Sequence, residues 1–235
     1  MAEYLKLYKT ETDYEAESEK VPVSHIIETV DVIIHDDRLI ATFYVTSTYS
    51  PTKILHQVSA FTEIEIDGVV QPDVVSGYTF NTTGEHVIKY KLAKQNTVDT
   101  YSFFKCTKLT NVIIPKTVTQ FNYCAFQYCS SLSSVTLSEI PEKVNFGETI
   151  FDSCISLRKL NFPENVYWFG MSILNKCTGL ESITVNRTTP PVLQLGLGYD
   201  TSEFIIYVPA ESVNDYKNAA YWKKYSSRIQ PIPTN

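Results

Sequence analysis

Glycine is scarce in this chain: there are eight in 235 residues, and none stands in a glycine-rich loop followed by lysine. Such loops bring backbone N–H groups against phosphate oxygens, so nothing here predicts a nucleotide cradle. Histidine is equally thin. His25, His35, His56 and His86 stand apart, none at ligand spacing from another His or from a Cys, which argues against zinc. No serine lies in a strand–turn–helix nucleophile motif. The expectation is a chain without catalysis, needing neither cofactor nor metal. No basic run is interleaved with aromatics, so nucleic acid is not an expected partner. No apolar stretch approaches the ~18 residues of a bilayer span. Met1 to Lys6 is polar and charged and lacks the cationic start and apolar run of a secretory signal; it suggests a protein made and left soluble.

What charge there is has an uneven distribution. Residues 1–37 hold ten Asp or Glu against three Lys, and the remaining 198 hold 16 acidic against 17 basic residues. The net charge of −6 is therefore an N-terminal property. A segment of this kind serves as a solvated arm or as a docking peptide for a basic partner.

Against these absences, one phrase occurs four times: an aromatic residue or Leu, then Cys, Leu and two apolar residues at fixed spacing. The copies are Phe103-Cys106-Leu109-Val112-Ile114, Phe126-Cys129-Leu132-Val135-Leu137, Phe151-Cys154-Leu157-Leu160-Phe162 and Leu174-Cys177-Leu180-Ile183-Val185. Periods of 23, 25 and 23 residues match the length of one coil of a stacked solenoid. The last two apolar residues of each copy alternate as an inward-facing strand does, which predicts a strand there and a short helix or turn around the Phe and Cys. Four of the five cysteines share one slot, where a small thiol packs as a hydrophobe, so buried free thiols are expected rather than disulfides. Cys124 breaks the register and is the cysteine placed to face outward.

The rest of the chain divides around these repeats. Residues 1–30 read as an acidic arm or anchor in which Tyr4, Leu5, Leu7 and Tyr8 form a short strand or helix. Over 31–98, period-2 alternation at Val30-Val32-Ile34, Leu39-Ala41-Phe43-Val45 and Phe61 to Ile66 predicts strands, with Asp67-Gly68 as a type I′ hairpin turn. Six or seven short strands suggest an immunoglobulin-like β-sandwich. The repeats occupy 99–202. A cap follows over 203–235: a strand at Glu203 to Val208, then a helix opened by Pro209 and carrying Val213, Tyr216, Ala220 and Trp222. The predicted fold is mainly β, an N-terminal sandwich followed by a short solenoid with a strand–helix cap.

The segment Ala125-Phe126 to Leu137 resembles the BspA-like leucine-rich repeats abundant in proteins of gut Bacteroidales and their phages, and Ile206 to Val213 with Tyr216, Lys217 and Trp222 is similar to the capping segment of such arrays. More weakly, Glu3 to Tyr8 with Tyr14-Glu15-Ala16 resembles the opening of structural proteins of tailed phages of gut Bacteroidales, the crAss-like group included. The stretches Ile66 to Gly68, Gly77 to Phe80 and Gly84 to Tyr90 are similar to the β-sandwich that often precedes the repeats. Leu174 in place of Phe and the insertion over Ile140 to Glu148 depart from the pattern.

These resemblances imply a non-enzymatic structural or accessory protein of a tailed-phage virion, assembled in the host cytoplasm: a head decoration, head fibre or tail appendage. Its N-terminal region would meet other virion proteins and its repeats a host protein or glycan. The alternative is an adhesin on the bacterial surface. Tyr123, Tyr128, Tyr167 and Trp168 lie near coil edges and are the candidate binding residues, with packing between coils as the competing role. Phage appendages are commonly symmetric, which suggests a homo-oligomer, although no heptad supports one.

Overall fold

The structure is a computed structural model that describes residues 4–5, 21–22, 37–137, 142–199 and 203–234. Residues 1–36 and 37–235 are two compact units. In the first, β1 (Tyr4–Leu5) pairs antiparallel with β2 (Val21–Pro22). The strand expected at Val30 to Ile34 lies outside the described residues.

The second unit opens with β3 (Leu39–Val45) and β4 (Thr52–Lys53). Next come β5 (Phe61–Ile66), β6 (Val69–Val70), β7 (Gly77–Tyr78), β8 (Gly84–Leu92) and β9 (Thr97–Val98). Asp67 and Gly68 have φ of 49° and 82°, the double positive value that a type I′ turn needs between β5 and β6. In β3 the alternating Leu39, Ala41, Phe43 and Val45 are buried.

The coils follow. The first holds β10 (Leu109–Ile114) and β11 (Gln120–Phe121); the second β12 (Ser134–Leu137) and β13 (Val144–Phe146). The third holds β14 (Lys159–Phe162) and β15 (Val166–Phe169), and the fourth β16 (Ser182–Val185) and β17 (Val192–Leu193). The chain closes with β18 (Ile205–Val208), the helix α1 (Val213–Asn218) and β19 (Ile229–Pro231). The Phe–Cys segments are turns, not helices.

One side of the solenoid is an unbroken parallel sheet in the order β17-β15-β13-β11-β9. Its inward residues Val98, Phe121, Phe146, Phe169 and Leu193 are buried and recur at 23, 25, 23 and 24 residues. On the other side the sheet divides. β12 and β10 continue antiparallel through β3 into β8, β5 and β6, whereas β14, β16, β18 and β19 form a separate parallel ladder.

A sandwich over 31–98 would need two facing sheets of its own. Instead β3, β5, β6 and β8 extend the sheet of the first coils, with β4 and β7 as a two-stranded ribbon. The physical reason is the exposed edge of β10: β3 pairs with it antiparallel, so the N–H and C=O groups of that edge are not left open, and the sheet runs on to β6. The boundary expected at 98/99 therefore falls inside one compact unit, as does that at 202/203.

Between the coils the residues of the repeated phrase are buried, except for Leu137, which is half-buried. Phe103, Phe126 and Phe151 stack face to face, with centroids 5.1 and 5.6 Å apart. Each thiol reaches back one coil. Cys129, Cys154 and Cys177 donate S–H to the carbonyls of Phe103, Phe126 and Phe151 at 3.1, 3.3 and 3.0 Å. Cys124 is buried too, correcting the outward placement; its Sγ lies 3.0 Å from Thr149 Oγ1.

The C-terminal cap differs from expectation in length. α1 ends at Asn218, leaving Ala220 exposed and Trp222 beyond the helix, with Tyr221 at φ 62° between them. Trp222 Nε1 donates to the Pro191 carbonyl at 2.8 Å, and Tyr216 Oη to that of Arg187 at 2.7 Å. Both rings are buried. Among the described residues no helix is long and apolar enough to cross a membrane.

Candidate binding surface

Two residues per coil are held in the left-handed region. Tyr101, Cys124, Thr149 and Ser172 form one column, with φ between 53° and 59°, and Lys105, Tyr128, Ser153 and Lys176 another, between 53° and 63°. A left-handed non-glycine residue carries a steric cost, which is offset here by hydrogen bonding. Tyr101, Phe103 and Lys105 donate their N–H groups to the carbonyls of Tyr123, Ala125 and Gln127 in the next coil, at 3.1, 2.8 and 2.9 Å. The same three bonds join the later coils, making a third backbone ladder at the turns.

This ladder fixes a group of side chains at the first two coils. The Tyr101 ring meets Tyr123 edge-on at 5.6 Å and Phe104 at 5.2 Å, and Phe104 meets Tyr128 at 5.7 Å. His56 joins from outside the repeats, 5.9 Å from Tyr101 and 5.2 Å from Phe104. Its place is set by its own N–H, which donates to the Ser102 carbonyl at 2.8 Å. Two ammonium groups lie over the rings: Lys105 Nζ at 5.2 Å from Phe104 and 5.7 Å from Tyr128, and Lys53 Nζ at 5.8 Å from Phe104. Lys53 Nζ is also 2.9 Å from His56 Nδ1.

His56, Lys105, Tyr123 and Tyr128 are exposed, and Lys53, Tyr101 and Phe104 half-buried. Partial burial, then the charges of Lys53 and Lys105, lower the pKa of His56, so the ring is neutral at pH 7. The Cys124 thiol beside Tyr123 is the main cause raising that phenol to about 12. Edge-to-face rings bearing hydroxyls and flanked by cations suit stacking and hydrogen bonding.

The patch is confined to the first coils because the Phe104 column turns polar further along. Its successors are Gln127, Asp152 and Asn175, which bond to one another: Gln127 Nε2 to Asp152 Oδ2 at 2.7 Å and Asn175 Nδ2 to Asp152 Oδ1 at 3.2 Å.

Of the four predicted binding residues, Tyr123 and Tyr128 belong to this patch. Tyr167 and Trp168 sit elsewhere, on β15. Tyr167 is exposed, with Lys143 Nζ 4.9 Å and Arg187 Cζ 5.9 Å from its ring, while Trp168 is half-buried. Sequence reasoning missed Tyr101, Phe104 and Lys105, although their repeat offsets match Cys124, Gln127 and Tyr128. No sequence signal pointed to Lys53 or His56, whose contribution depends on the docking of a non-repeat segment. Among the described residues no group of three or more His, Cys, Asp or Glu is placed to hold a metal ion.

No curated protein matches the sequence. A solved leucine-rich repeat protein of T. pallidum is similar at 18% identity, with 57% of this chain and 78% of that one covered and a TM-score of 0.31. The BspA type leucine-rich repeat region matches residues 74–192 in six copies, two more than the cysteine-bearing phrase marks. That span is just over half of the sequence, and the chain belongs to the BspA-type leucine-rich repeat family.

Proposed function

We propose that this chain is a non-enzymatic binding module whose first two coils present the patch of His56, Tyr101, Phe104, Tyr123 and Tyr128 to a protein or glycan on a cell surface. The observation that carries it is the patch itself: contiguous rings held by a backbone ladder, open to solvent and flanked by Lys53 and Lys105. Rigid aromatic anchors lose little entropy on binding, which is why they dominate interfaces. Replacing Tyr123 and Tyr128 together by Ala is expected to weaken attachment to host cells by roughly ten- to a hundredfold while the thermal transition stays put. Unchanged attachment would reject the patch.

The setting we propose is the particle of a tailed phage, with residues 1–30 meeting other virion proteins. It rests on the resemblance of Glu3 to Ala16 to phage structural proteins. The surface adhesin is the competing setting, and the repeats serve it equally well. Mass spectrometry of purified virions tests the first, and surface labelling of phage-free cells tests the second. Symmetric self-assembly of the chain belongs to the same proposal, and light scattering of the purified protein measures it.

A further inference from the structure

The two sides of the solenoid differ at one step. Between the second and third coils β13 pairs with β11 and β15, so the ladder on that side is intact, but no backbone bond joins β12 to β14 among the described residues. The sequence offers a cause. From Ile114 to Phe121 and from Phe162 to Phe169 the connection is seven residues, but from Leu137 to Phe146 it is nine. The longer connection follows directly on β12. The interior records the same opening: the Phe126–Phe151 stack is wider than Phe103–Phe126, 5.6 against 5.1 Å, and the Cys154 thiol bond is the longest of the three.

The opening is a cleft of about 450 Å³, lined by Ser134, Thr136, Leu137, Arg158, Lys159 and Asn161. Their 25-residue spacing sets Ser134 opposite Lys159 and Thr136 opposite Asn161. Among the described residues the lining carries two cations and no carboxylate. Arg158 reaches Glu181 Oε1 at 3.8 Å, outside the lining; Lys159 has no ion-pair partner among the described residues. Hydroxyls, an amide and the facing edges of β12 and β14, each paired only on its far side among the described residues, supply donors and acceptors in a small volume. Among the described lining residues only Val135 and Leu137 are apolar, too little to seat the alternate side chains of an added peptide strand.

We propose that this cleft binds an acidic saccharide, one or two sugar rings bearing a carboxylate or sulfate. The anionic group meets Arg158 and Lys159. The ring hydroxyls meet Ser134, Thr136, Asn161 and the strand edges. Volume agrees with this class, since small-ligand sites begin at about 300 Å³. The cleft is a second site: its residues lie on β12, on β14 and just before it, none of them in the aromatic patch, and it does not depend on the function proposed for that patch.

Calorimetric titration of the full chain with a heparin disaccharide, sialyllactose, lactose and sodium sulfate tests this. An acidic sugar is expected to bind and lactose not. The double variant Arg158→Gln, Lys159→Gln should weaken that binding by roughly tenfold or more, because two charge-assisted contacts are lost. Ser134→Tyr, which fills the cleft from an exposed position, should abolish it, with both variants melting as the parent does. Tyr123→Ala with Tyr128→Ala should leave it unchanged. Three results would overturn the proposal: no binding of either acidic sugar, lactose or free sulfate binding as well as the acidic sugars, or binding lost in the tyrosine variant and kept in the cleft variants.

Discussion

At the level of single residues, the cysteine column is more than apolar filler. Burial holds the Cys129 and Cys177 thiols up at about 12, and raises Cys106 and Cys154 well above the ordinary thiol value. Thiols so held remain S–H donors and are poor nucleophiles. All five cysteines are expected to resist a thiol-specific reagent in the native protein and to react fully in denaturant; rapid native labelling would contradict their burial. The same shifts set an alkaline limit. The unfolded chain ionises its thiols near pH 9.0, before the folded one does, so the unfolded state binds fewer protons and stability falls as pH rises from about 9 toward 12. Melting temperatures followed from pH 8 to 11 should decline above 9, and a flat profile would argue against it. The column itself was legible from spacing. Its hydrogen bonds were not, because each acceptor is a carbonyl 26 or 28 residues away. Cys124 was misjudged because a left-handed backbone, invisible in the residue pattern, turns it inward.

Within each coil, the strand that carries Leu and Val was readable from its period, but the opposing strand was not. β11, β13 and β15 are two to four residues long, too short for alternation to show. The column Phe121, Phe146, Phe169 is visible once its spacing of 25 and 23 residues is set beside that of the cysteines. Two glycines follow it. A Cβ on Gly170 would lie 2.5 Å from the Gly147 carbonyl carbon, and one on Gly147 would lie 2.8 Å from the Phe121 carbonyl oxygen. Because the neighbour is backbone, the coils must part to accept it. Gly170→Ala is expected to cost about 1–3 kcal/mol, the range for overpacking, read as a lowered denaturant midpoint. A neutral result would mean that the coil spacing there is soft. Most of the N-terminal strands were legible, β4 and β9 excepted, but their pairing was not, since alternation says which residues face inward and not which edge a strand joins.

For the molecule as a whole, the open ends of the ladder decide what the caps must do. A repeat stack gains its stability from neighbours, and its terminal edge offers unpaired N–H and C=O groups to any passing strand. At one end β3 takes up the edge of β10 antiparallel and carries the sheet on to β6. At the other, β18 and β19 extend the parallel ladder, and Pro231 stands in the terminal strand, where it offers no N–H to a further one. Trp222 pins the closing segment. It is 1% exposed, its ring lies 5.1 Å from Tyr216 and 6.0 Å from Phe169, and its indole N–H holds the Pro191 carbonyl. It thereby ties the cap to the last inward column. Trp222→Ala removes that tie and orphans a carbonyl, at a cost of about 3–5 kcal/mol. The cap should then loosen before the coils do, uncovering the edges of β16 and β17. The expected outcome is a lower first transition in denaturant together with higher-order species on size exclusion that appear only above that midpoint. A single transition shifted by less than about 1 kcal/mol, with the protein unchanged in size, would show that the ladder is closed by β18 and β19 alone, since surface-like substitutions stay near that limit.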